Sequence, residues 1–438
     1  MCKETVSLLN KMNITINIPN KDNVNKVELT IQEKEDIFES LLLYIDETCI
    51  VHIKEPKYND IIFEECISFL ENTVFNHSNV FNQETIENII DESINYYEEY
   101  IMVPRSYFKN DLLQQNKAFV DTQINYLKNV FQPPQRTSDW YKFRHNLITA
   151  SSAWKIIDTE SNINNYILNK CLPLNTEKYK HVNINSPCHW GNKYEPVSVE
   201  YYEKKYNTKI HDFGCIQHQS YKNIGASPDG INVDPASLKY GRMLEIKNIV
   251  NRDITGIPKK EYWVQMQLQM EVCNLDYCDF LECRFKEYSS EEEFLNDGTF
   301  THTIDGNEKG IILHFYENEQ HIYEYAPLNI SNQEFEKWNE SMFNKHENTW
   351  VNTIYWRLDE VSCVVVERNK KWFNSILPIF LSTWKIIEDE RINGFEHRKP
   401  KRKIKKKITV EKDNYMFLDD EHLENNISES KTITINTI

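Results

Sequence analysis

The sequence predicts a mixed α/β protein in which a central mixed sheet is flanked by helices and preceded by a mainly helical extension. Two observations support this fold class. From residue 136 to residue 285, short strand-like runs alternate with helical patterns, as in proteins that pack helices on a sheet. From Glu33 to Met102, apolar residues recur at helical spacing. With 438 residues, 40% of them hydrophobic, the chain can bury a substantial core.

Prolines and charge divide the chain into three parts. A turn at residues 132–135 breaks the helical pattern, so we place a boundary between a mainly helical accessory region, residues 1–132, and a main domain, residues 133–395. An acidic and less regular insertion is predicted near residues 286–350. Residues 396–438 are first basic and then acidic, and we expect a disordered tail.

The main domain is predicted to alternate helices and strands. Its helices are predicted at Trp140–Asp158, Tyr194–Tyr206, Glu261–Val272 and Trp372–Ile392. Its strands are predicted at Phe213–Gln217, Met243–Lys247, Cys278–Phe285, Ile311–Tyr316 and Val361–Glu367.

Composition limits the class of protein. The ten cysteines are scattered singly and no signal peptide is visible, so we expect reduced thiols and an intracellular, non-secreted protein. No apolar run of about 18 residues is present, so no membrane span is expected. The net charge of −17 weakens a nucleic-acid assignment without removing it, because a local field decides whether a polyanion docks. The run Arg398–Lys407, eight of ten residues basic, could supply such a field.

Carboxylates and a lysine form the strongest candidate site. Glu245 and Lys247 are two residues apart in a predicted strand and therefore point to the same face. Asp229 lies in the run Ser-Pro-Asp-Gly, where Pro228 fixes φ and Gly230 permits an unusual backbone angle on a tight turn. An Asp and a Glu at one point form the hard oxygen site that Mg²⁺ prefers. A neighbouring lysine can orient water and stabilise the charge of a phosphoryl transition state.

Two predicted helices add polar groups to this site. Glu195 is expected near the start of a helix, where a third carboxylate could hold a second metal ion and where a helix dipole alone would also favour a glutamate. Tyr262, Gln265 and Gln269 fall on one helical face, which indicates either hydrogen bonds into the site or a surface stripe.

A further segment carries groups suited to an anion. Trp140 and Arg144 share a helical face, and Ser151 follows shortly. An arginine fork and a serine hydroxyl are what a terminal phosphate requires.

Five blocks follow one another in order along the domain: W-x3-R-x3-ITAS, WG-x2-YE, ASPDG, LE-x-K and Y-x2-Q-x-Q. Together they resemble the lambda-type exonucleases, also called YqaJ-like viral recombinases, in the PD-(D/E)xK nuclease superfamily. The resemblance covers about residues 136–285 and resumes over residues 364–389, a little under half the chain.

The resemblance implies a restriction-endonuclease-like core and a role for each matching residue. It implies metal ligation by Asp229, Glu245, the Ile246 carbonyl and Glu195, catalysis by Lys247, support from Tyr262 and Gln265, and 5′-phosphate or DNA binding by Arg144, Ser151 and Trp140. It also implies Mg²⁺ or Mn²⁺, two ions per site, and digestion of duplex DNA from its 5′ ends. A single-strand annealing partner and a trimeric ring occur in this family; the additions to this chain leave its oligomeric state open.

Other interpretations stay open at this point. Cys188, Cys273, Cys278 and Cys283 suggest an iron–sulfur cluster, but their spacing favours small buried hydrophobic residues. A structure-specific endonuclease or resolvase, or a DNA-binding scaffold with a degenerate core, would use the same fold. The basic run fits a DNA-holding tail, a nuclear-localisation signal or a solubilising tail equally. The composition rich in Asn, Ile and Lys suggests the AT-rich genome of a large DNA virus, hence host cytoplasm or a viral replication site.

Overall fold

The computed structural model of the chain describes residues 29–73, 83–108, 115–135, 137–174, 183–347 and 349–399. Most of the basic run and all of the acidic tail predicted after it lie outside these residues.

The described helices are α1 Ile31–Glu47, α2 Tyr58–Thr73, α3 Gln83–Tyr96, α4 Lys117–Asn129, α5 Ser138–His145, α6 Ala150–Ala153, α7 Glu160–Cys171, α8 Pro187–Lys205, α9 Lys260–Cys273, α10 Glu291–Asn296, α11 Asn332–Lys345 and α12 Lys370–Asn393.

The described strands are β1 Ile148–Thr149, β2 Ile210–His211, β3 Ile216–Gln217, β4 Ile224–Ala226, β5 Gly230–Asn232, β6 Met243–Asn248, β7 Tyr277–Glu287, β8 Lys309–Glu317, β9 Gln320–Tyr325 and β10 Trp350–Glu367. They form a mixed sheet in the order β2-β5-β6-β7-β10-β8-β9 and a small sheet in the order β1-β4-β3. In the larger sheet β6 and β7 pair in parallel, and the other neighbours are antiparallel. The predicted mixed α/β fold with a central sheet between helices is confirmed.

The N-terminal helices begin and pack as their sequence predicts. Helix α1 starts at a capping box in which Thr30 and Glu33 exchange side-chain and backbone hydrogen bonds. Its buried face includes Ile37, Leu41 and Ile45. These side chains belong to the same hydrophobic cluster as residues of α9 and α12, so the N-terminal region and the main domain share a core. The boundary near residue 133 stays a prediction.

Two residues of the N-terminal region join it to the sheet and to α9. The backbone of Tyr107 exchanges hydrogen bonds of 2.9 and 2.8 Å with Val365 of β10. The buried Arg105 donates to the carbonyls of Ile53, at 3.1 Å, and Pro258, just before α9. The Trp263 indole of α9 donates in return to the Arg105 carbonyl at 3.0 Å.

The predicted helix Trp140–Asp158 is wrong, because the segment is broken into several elements. Helix α5 ends at His145, and Ile148 then enters the small sheet opposite Ile224 before α6 begins. Buried residues at Ile148, Ala150 and Ala153 imitate a helical pattern, although the first of them belongs to a strand. A two-residue strand is determined by its distant partner, which local periodicity does not reveal.

Two other boundaries differ from the prediction. Helix α8 begins at Pro187, capped by the Ser186 side chain, so it starts seven residues before the predicted Tyr194. Proline favours the first helical positions, a signal that the predicted start overlooked. The segment 286–350 is more regular than predicted, since it contains α10, α11 and the hairpin of β8 and β9, and β10 begins at its end.

Gly230 is needed for a close approach and not for an unusual backbone angle, which corrects the sequence-based expectation. Its φ is not among the positive values found in the described chain. A Cβ atom at this position would lie 2.2 Å from Ile210 Cγ2 on the neighbouring strand β2. Gly230 therefore lets β2 and β5 pair beside Asp229.

Replacing Gly230 by alanine is expected to destabilise the protein by about 1–3 kcal/mol, because the stiff, β-branched Ile210 must shift. Urea unfolding followed by fluorescence measures the change. Gly191→Ala in α8 is the matched control, since its Cβ would meet no atom within 4 Å. There, alanine is expected to stabilise the helix by about 1 kcal/mol. Equal midpoints for Gly230→Ala and the wild type would contradict the assignment.

In the part of the chain that the structure describes, no helix is long and apolar enough to cross a membrane.

Candidate active site

Two adjacent strands and two helices form a cleft of about 540 Å³ at one end of β6. Its walls include Asp229, Ile246 and Lys247 from the sheet region, Glu195 from α8 and Tyr262 from α9. The cleft therefore brings together residues from four of the five sequence blocks. The fifth block contacts Ser227 of the ASPDG block through Arg144.

Asp229 directly precedes β5 and lies beside the middle of β6. Gly230 pairs with Leu244 in the antiparallel ladder, so the next position places Asp229 opposite Glu245. The Ile246 amide donates to Asp229 Oδ2 at 2.8 Å. This bond fixes the carboxylate at the strand edge, while the Ile246 side chain packs into the hydrophobic cluster on the α8 side of the sheet.

Glu245 and Lys247 point to the same face of β6, as strand alternation requires. Glu245 is fully buried, and Lys247 donates a hydrogen bond from Nζ to its Oε1. Gln269 of α9 donates from Nε2 to Oε2 of the same carboxylate at 2.7 Å. Both oxygens of Glu245 are thus oriented by neighbouring side chains.

The site concentrates negative charge. Burial, followed by the charges of Glu245 and Glu195, raises the pKa of Asp229 well above its ordinary value, although Lys247 opposes this shift. Burial alone would lower the pKa of Lys247, but Glu245 and Asp229 outweigh it and raise that pKa. The lysine is therefore held as a cation beside two carboxylates that repel each other.

Glu195 lies in the third turn of α8, because that helix starts at Pro187. The predicted place near the helix start is therefore wrong. The helix dipole does not explain a glutamate at this position, because its effect falls off within the first turn. Glu195 is half-buried and lines the cleft with Gly191, one turn earlier on the same face.

The three polar residues on one face of α9, Tyr262, Gln265 and Gln269, contribute unequally to the site. The Tyr262 ring lies 5.0 Å from Lys247 Nζ and 5.4 Å from the Arg252 guanidinium, so it contacts the lysine by a cation–π interaction. Gln269 hydrogen-bonds Glu245, as described above. Gln265 is half-buried, and among the described residues its side chain makes no hydrogen bond. The family resemblance implies a supporting role for Gln265, whereas the contact to Glu245 comes from the fully buried Gln269.

A second group of polar side chains lies next to the carboxylates. Arg144 donates to Ser151 Oγ at 3.1 Å and to Ser227 Oγ at 3.3 Å. Its guanidinium also lies 4.3 Å from the Trp140 ring. Ser227 was not among the predicted site residues, although it is the serine of the ASPDG block. Its carbonyl accepts from Gln269 Nε2 at 3.2 Å, and the same amide donates to Glu245, so Gln269 connects this polar group to Glu245.

The residue types fit a hard divalent cation. Asp229 and Glu245 are carboxylates at opposing positions of the β5–β6 pairing, and Mg²⁺ is commonly held by one or two carboxylates plus water and substrate phosphate. A cation would also offset the burial and the charges of Glu245 and Glu195, which together raise the pKa of Asp229. In the described residues, no three His, Cys, Asp or Glu side chains converge as a ready metal cage. The two-ion site that includes Glu195 stays a prediction.

The four cysteines considered for an iron–sulfur cluster lie at separate places, three of them buried. Cys278 and Cys283 both lie on β7 but five residues apart, so they face opposite sides of the sheet. Cys273 and Cys278 belong to one hydrophobic cluster and Cys283 to another. Cys188 is exposed on α8. Cys273, Cys278 and Cys283 are therefore packed as small buried hydrophobic residues, as their spacing predicts.

The site has an acidic residue directly before β5 and Glu-x-Lys on β6, the strand that pairs with β5. Residues 139–276 match the model of the YqaJ-like viral recombinase domain. The resemblance stated from the five sequence blocks is therefore confirmed over this range.

Similar proteins were found in a virus and in bacteria. The uncharacterized protein R354 of Acanthamoeba polyphaga mimivirus is 29% identical over 334 residues, which are 66% of this chain and 59% of that protein. The chain thus spans about three fifths of the length of this relative.

Similar solved structures include an alkaline exonuclease, LHK-Exo, from Laribacter hongkongensis. It has 18% identity, coverage of 58% of this chain and 94% of that one, and a TM-score of 0.34. A phage related exonuclease from Haemophilus somnus 129PT has 11% identity, coverage of 56% and 94%, and a TM-score of 0.31.

Proposed function

We propose that the protein is a metal-dependent deoxyribonuclease that hydrolyses phosphodiester bonds of linear double-stranded DNA from the 5′ end. The observation that carries this proposal is the grouping of Glu245 and Lys247 on β6 with Asp229, which directly precedes the paired strand β5; Asp229 and Lys247 line an open cleft, and Glu245 lies buried behind them. Carboxylates that hold a cation, with a lysine beside them, supply the groups that phosphodiester hydrolysis needs.

Each residue has a distinct role in the proposed reaction. Asp229, Glu245 and the Ile246 carbonyl would hold Mg²⁺ or Mn²⁺, and Glu195 would assist with a second ion. When bound, such an ion acidifies water and neutralises charge on the scissile phosphate. Lys247 keeps its proton beside the carboxylates, orients the attacking water and stabilises the negative charge of the transition state. Gln269 and Tyr262 hold Glu245 and Lys247 in place.

End dependence rests on the second polar group. Arg144 is flanked by the Ser151 and Ser227 hydroxyls and stacked near Trp140, so a planar cation and two hydroxyls are presented together. Such a set suits a terminal phosphate, which offers several acceptor oxygens. Because Ser227 is two residues from Asp229, a strand bound there by its 5′ end would enter the cleft near the carboxylates.

Arg144→Met is expected to reduce the preference for 5′-phosphorylated over 5′-hydroxyl duplex ends by about 10- to 100-fold, the value of a lost charge-assisted hydrogen-bond pair. The ratio of kcat/KM for the two ends measures this preference. Arg357→Met, which alters an arginine of β10 that pairs with Asp297 and Asp359, is the control and should keep the wild-type ratio. An unchanged ratio in Arg144→Met would remove the basis for end dependence.

The experiment that tests the whole proposal is digestion of end-labelled linear duplex DNA with Mg²⁺, Mn²⁺ or EDTA, together with closed circular DNA. Metal-dependent release of nucleotides from the 5′ strand is expected, and the circle should stay intact. Cleavage of the circle would instead favour a structure-specific endonuclease or resolvase on the same core, and binding without cleavage would favour a scaffold. In the proposed setting of viral recombination, repair or replication, the 3′ overhang would be passed to a single-strand annealing partner.

A further inference from the structure

The last turn of α5 is held by two cations from other helices. Lys170, near the end of α7, donates from Nζ to the carbonyls of Arg144 at 2.8 Å and Leu147 at 2.6 Å. Arg391, near the end of α12, donates to the His145 carbonyl and the Asn146 side-chain oxygen, both at 3.1 Å. Arg391 also donates twice to the Lys170 carbonyl, at 2.9 and 2.7 Å, so the two cations are tied to each other.

These contacts determine where the end of α5 lies. A helix of eight residues is too short to be stable alone, so its tertiary contacts fix its position. The last carbonyls of a helix lack intrahelical partners and carry partial negative charge, which explains why cations bind there. The Arg144 side chain leaves this same turn toward Ser151 and Ser227. Any shift of the turn therefore moves the guanidinium proposed to bind the terminal phosphate.

Helix capping alone does not account for so much positive charge. Arg144, Lys170 and Arg391 lie close together, and in the described part of the chain the oxygens that accept from Lys170 and Arg391 are all uncharged. Burial, together with the charges of Arg144 and Arg391, lowers the pKa of Lys170 to about 7, although the Cys215 thiol beside it acts in the opposite direction. The Tyr166 ring, 5.8 Å from Lys170 Nζ, completes its surroundings. Lys170 and Arg391 therefore add positive potential beside the Arg144 guanidinium, which favours an anion there.

We propose that Lys170 and Arg391 are positioning residues for a terminal phosphate: they fix the end of α5, aim Arg144 and add positive potential at that site. This inference rests on the proposed function and extends it to two residues that lie outside the five sequence blocks. They contact the chain that carries Arg144 and not the reacting atoms.

Binding measurements in EDTA test the proposal without cleavage. Affinities are compared for one duplex with a 5′-phosphate and the same duplex with a 5′-hydroxyl. Lys170→Met and Arg391→Met are each expected to reduce the wild-type affinity ratio by about tenfold, and Lys170→Arg should restore part of the ratio.

Lys309→Met is the matched control, because Lys309 is a buried lysine whose Nζ also donates to two backbone carbonyls, those of Phe294 and Asp297 at the end of α10. It should lower the melting temperature to a similar extent and keep the affinity ratio. If Lys170→Met and Arg391→Met keep the ratio while their melting temperatures fall, both residues are helix caps only and the inference is overturned. A wild-type ratio of one overturns it as well.

The failure of the proposed function would look different. A wild-type protein that prefers the 5′-phosphate in EDTA, and loses that preference in Lys170→Met, supports the inference even if Mg²⁺ produces no cleavage. Cleavage by the wild type, together with an unchanged binding ratio in both variants, supports the nuclease and refutes the inference.

Discussion

Lys247→Met is expected to lower the metal-dependent rate of DNA hydrolysis on the order of 10³-fold, because it removes the cation placed beside both carboxylates of the site. Lys247 contacts Glu245 directly, and the two acidic residues raise its pKa, so it stays charged at neutral pH. Methionine has a similar length and keeps the packing against Tyr262 without the charge. Initial rates on a 5′-labelled duplex measure the effect.

Lys260→Met is the control for this substitution. Lys260 begins α9 but pairs with Glu55 and Asp158, away from the cleft, so its loss should leave the rate within a few fold of the wild type. DNA affinity in EDTA should be almost the same for both variants. A Lys247→Met enzyme with wild-type rates would show that the chemistry takes place elsewhere in the molecule.

Glu245→Gln separates metal binding from folding. The amide keeps an oxygen for Gln269 but loses the negative charge that attracts a cation. We expect a rate loss of similar size that higher Mg²⁺ concentrations recover only in part.

The parts of the site that the sequence predicted are those with a local signal. Strand β6 and helix α9 match their predicted ranges to within one residue, because Met243–Lys247 and Glu261–Val272 carry clear strand and helix patterns. The same alternation put Glu245 and Lys247 on one face. Asp229 is predicted by its place in the Ser-Pro-Asp-Gly motif. The prediction of an unusual backbone angle at Gly230 is wrong, because this glycine serves a close approach to Ile210.

What the sequence did not reveal depends on residues far apart in the chain. Ser227 reaches Arg144, 83 positions away, and Gln269 reaches Glu245, 24 positions away. No spacing rule pairs such residues. Helical periodicity places Gln265 and Gln269 on the same face and does not show which of them contacts Glu245. The break of the predicted helix after His145 has the same cause, since β1 exists only because Ile148 pairs with Ile224. Lys170 and Arg391 lie 221 positions apart and carry no motif at all.

Asp279 stabilises the sheet from the side opposite to Lys247. This fully buried carboxylate of β7 accepts hydrogen bonds from Tyr202 OH at 2.6 Å, Lys239 Nζ at 2.6 Å and Arg242 Nη1 at 3.0 Å. Tyr202 belongs to α8, the helix that carries Glu195, and Asp279 pairs in register with Leu244 of β6. One carboxylate thus joins α8 to the strand that holds the site.

Asp279→Ala is expected to lower the free energy of unfolding by about 3–5 kcal/mol, because it leaves two buried cations without their counter-charge. Urea unfolding measures this loss, with Glu360→Ala as the control. Glu360 pairs with Arg284 in a largely exposed position, so its removal should cost about 0–1 kcal/mol.

Replacing Lys239 and Arg242 by methionine together with Asp279→Leu should recover much of the stability lost in Asp279→Ala, since an apolar set of similar volume needs no counter-charge. If Asp279→Ala unfolds at the same urea concentration as Glu360→Ala, water must reach the two cations, and α8 must be held to β6 by its apolar contacts alone.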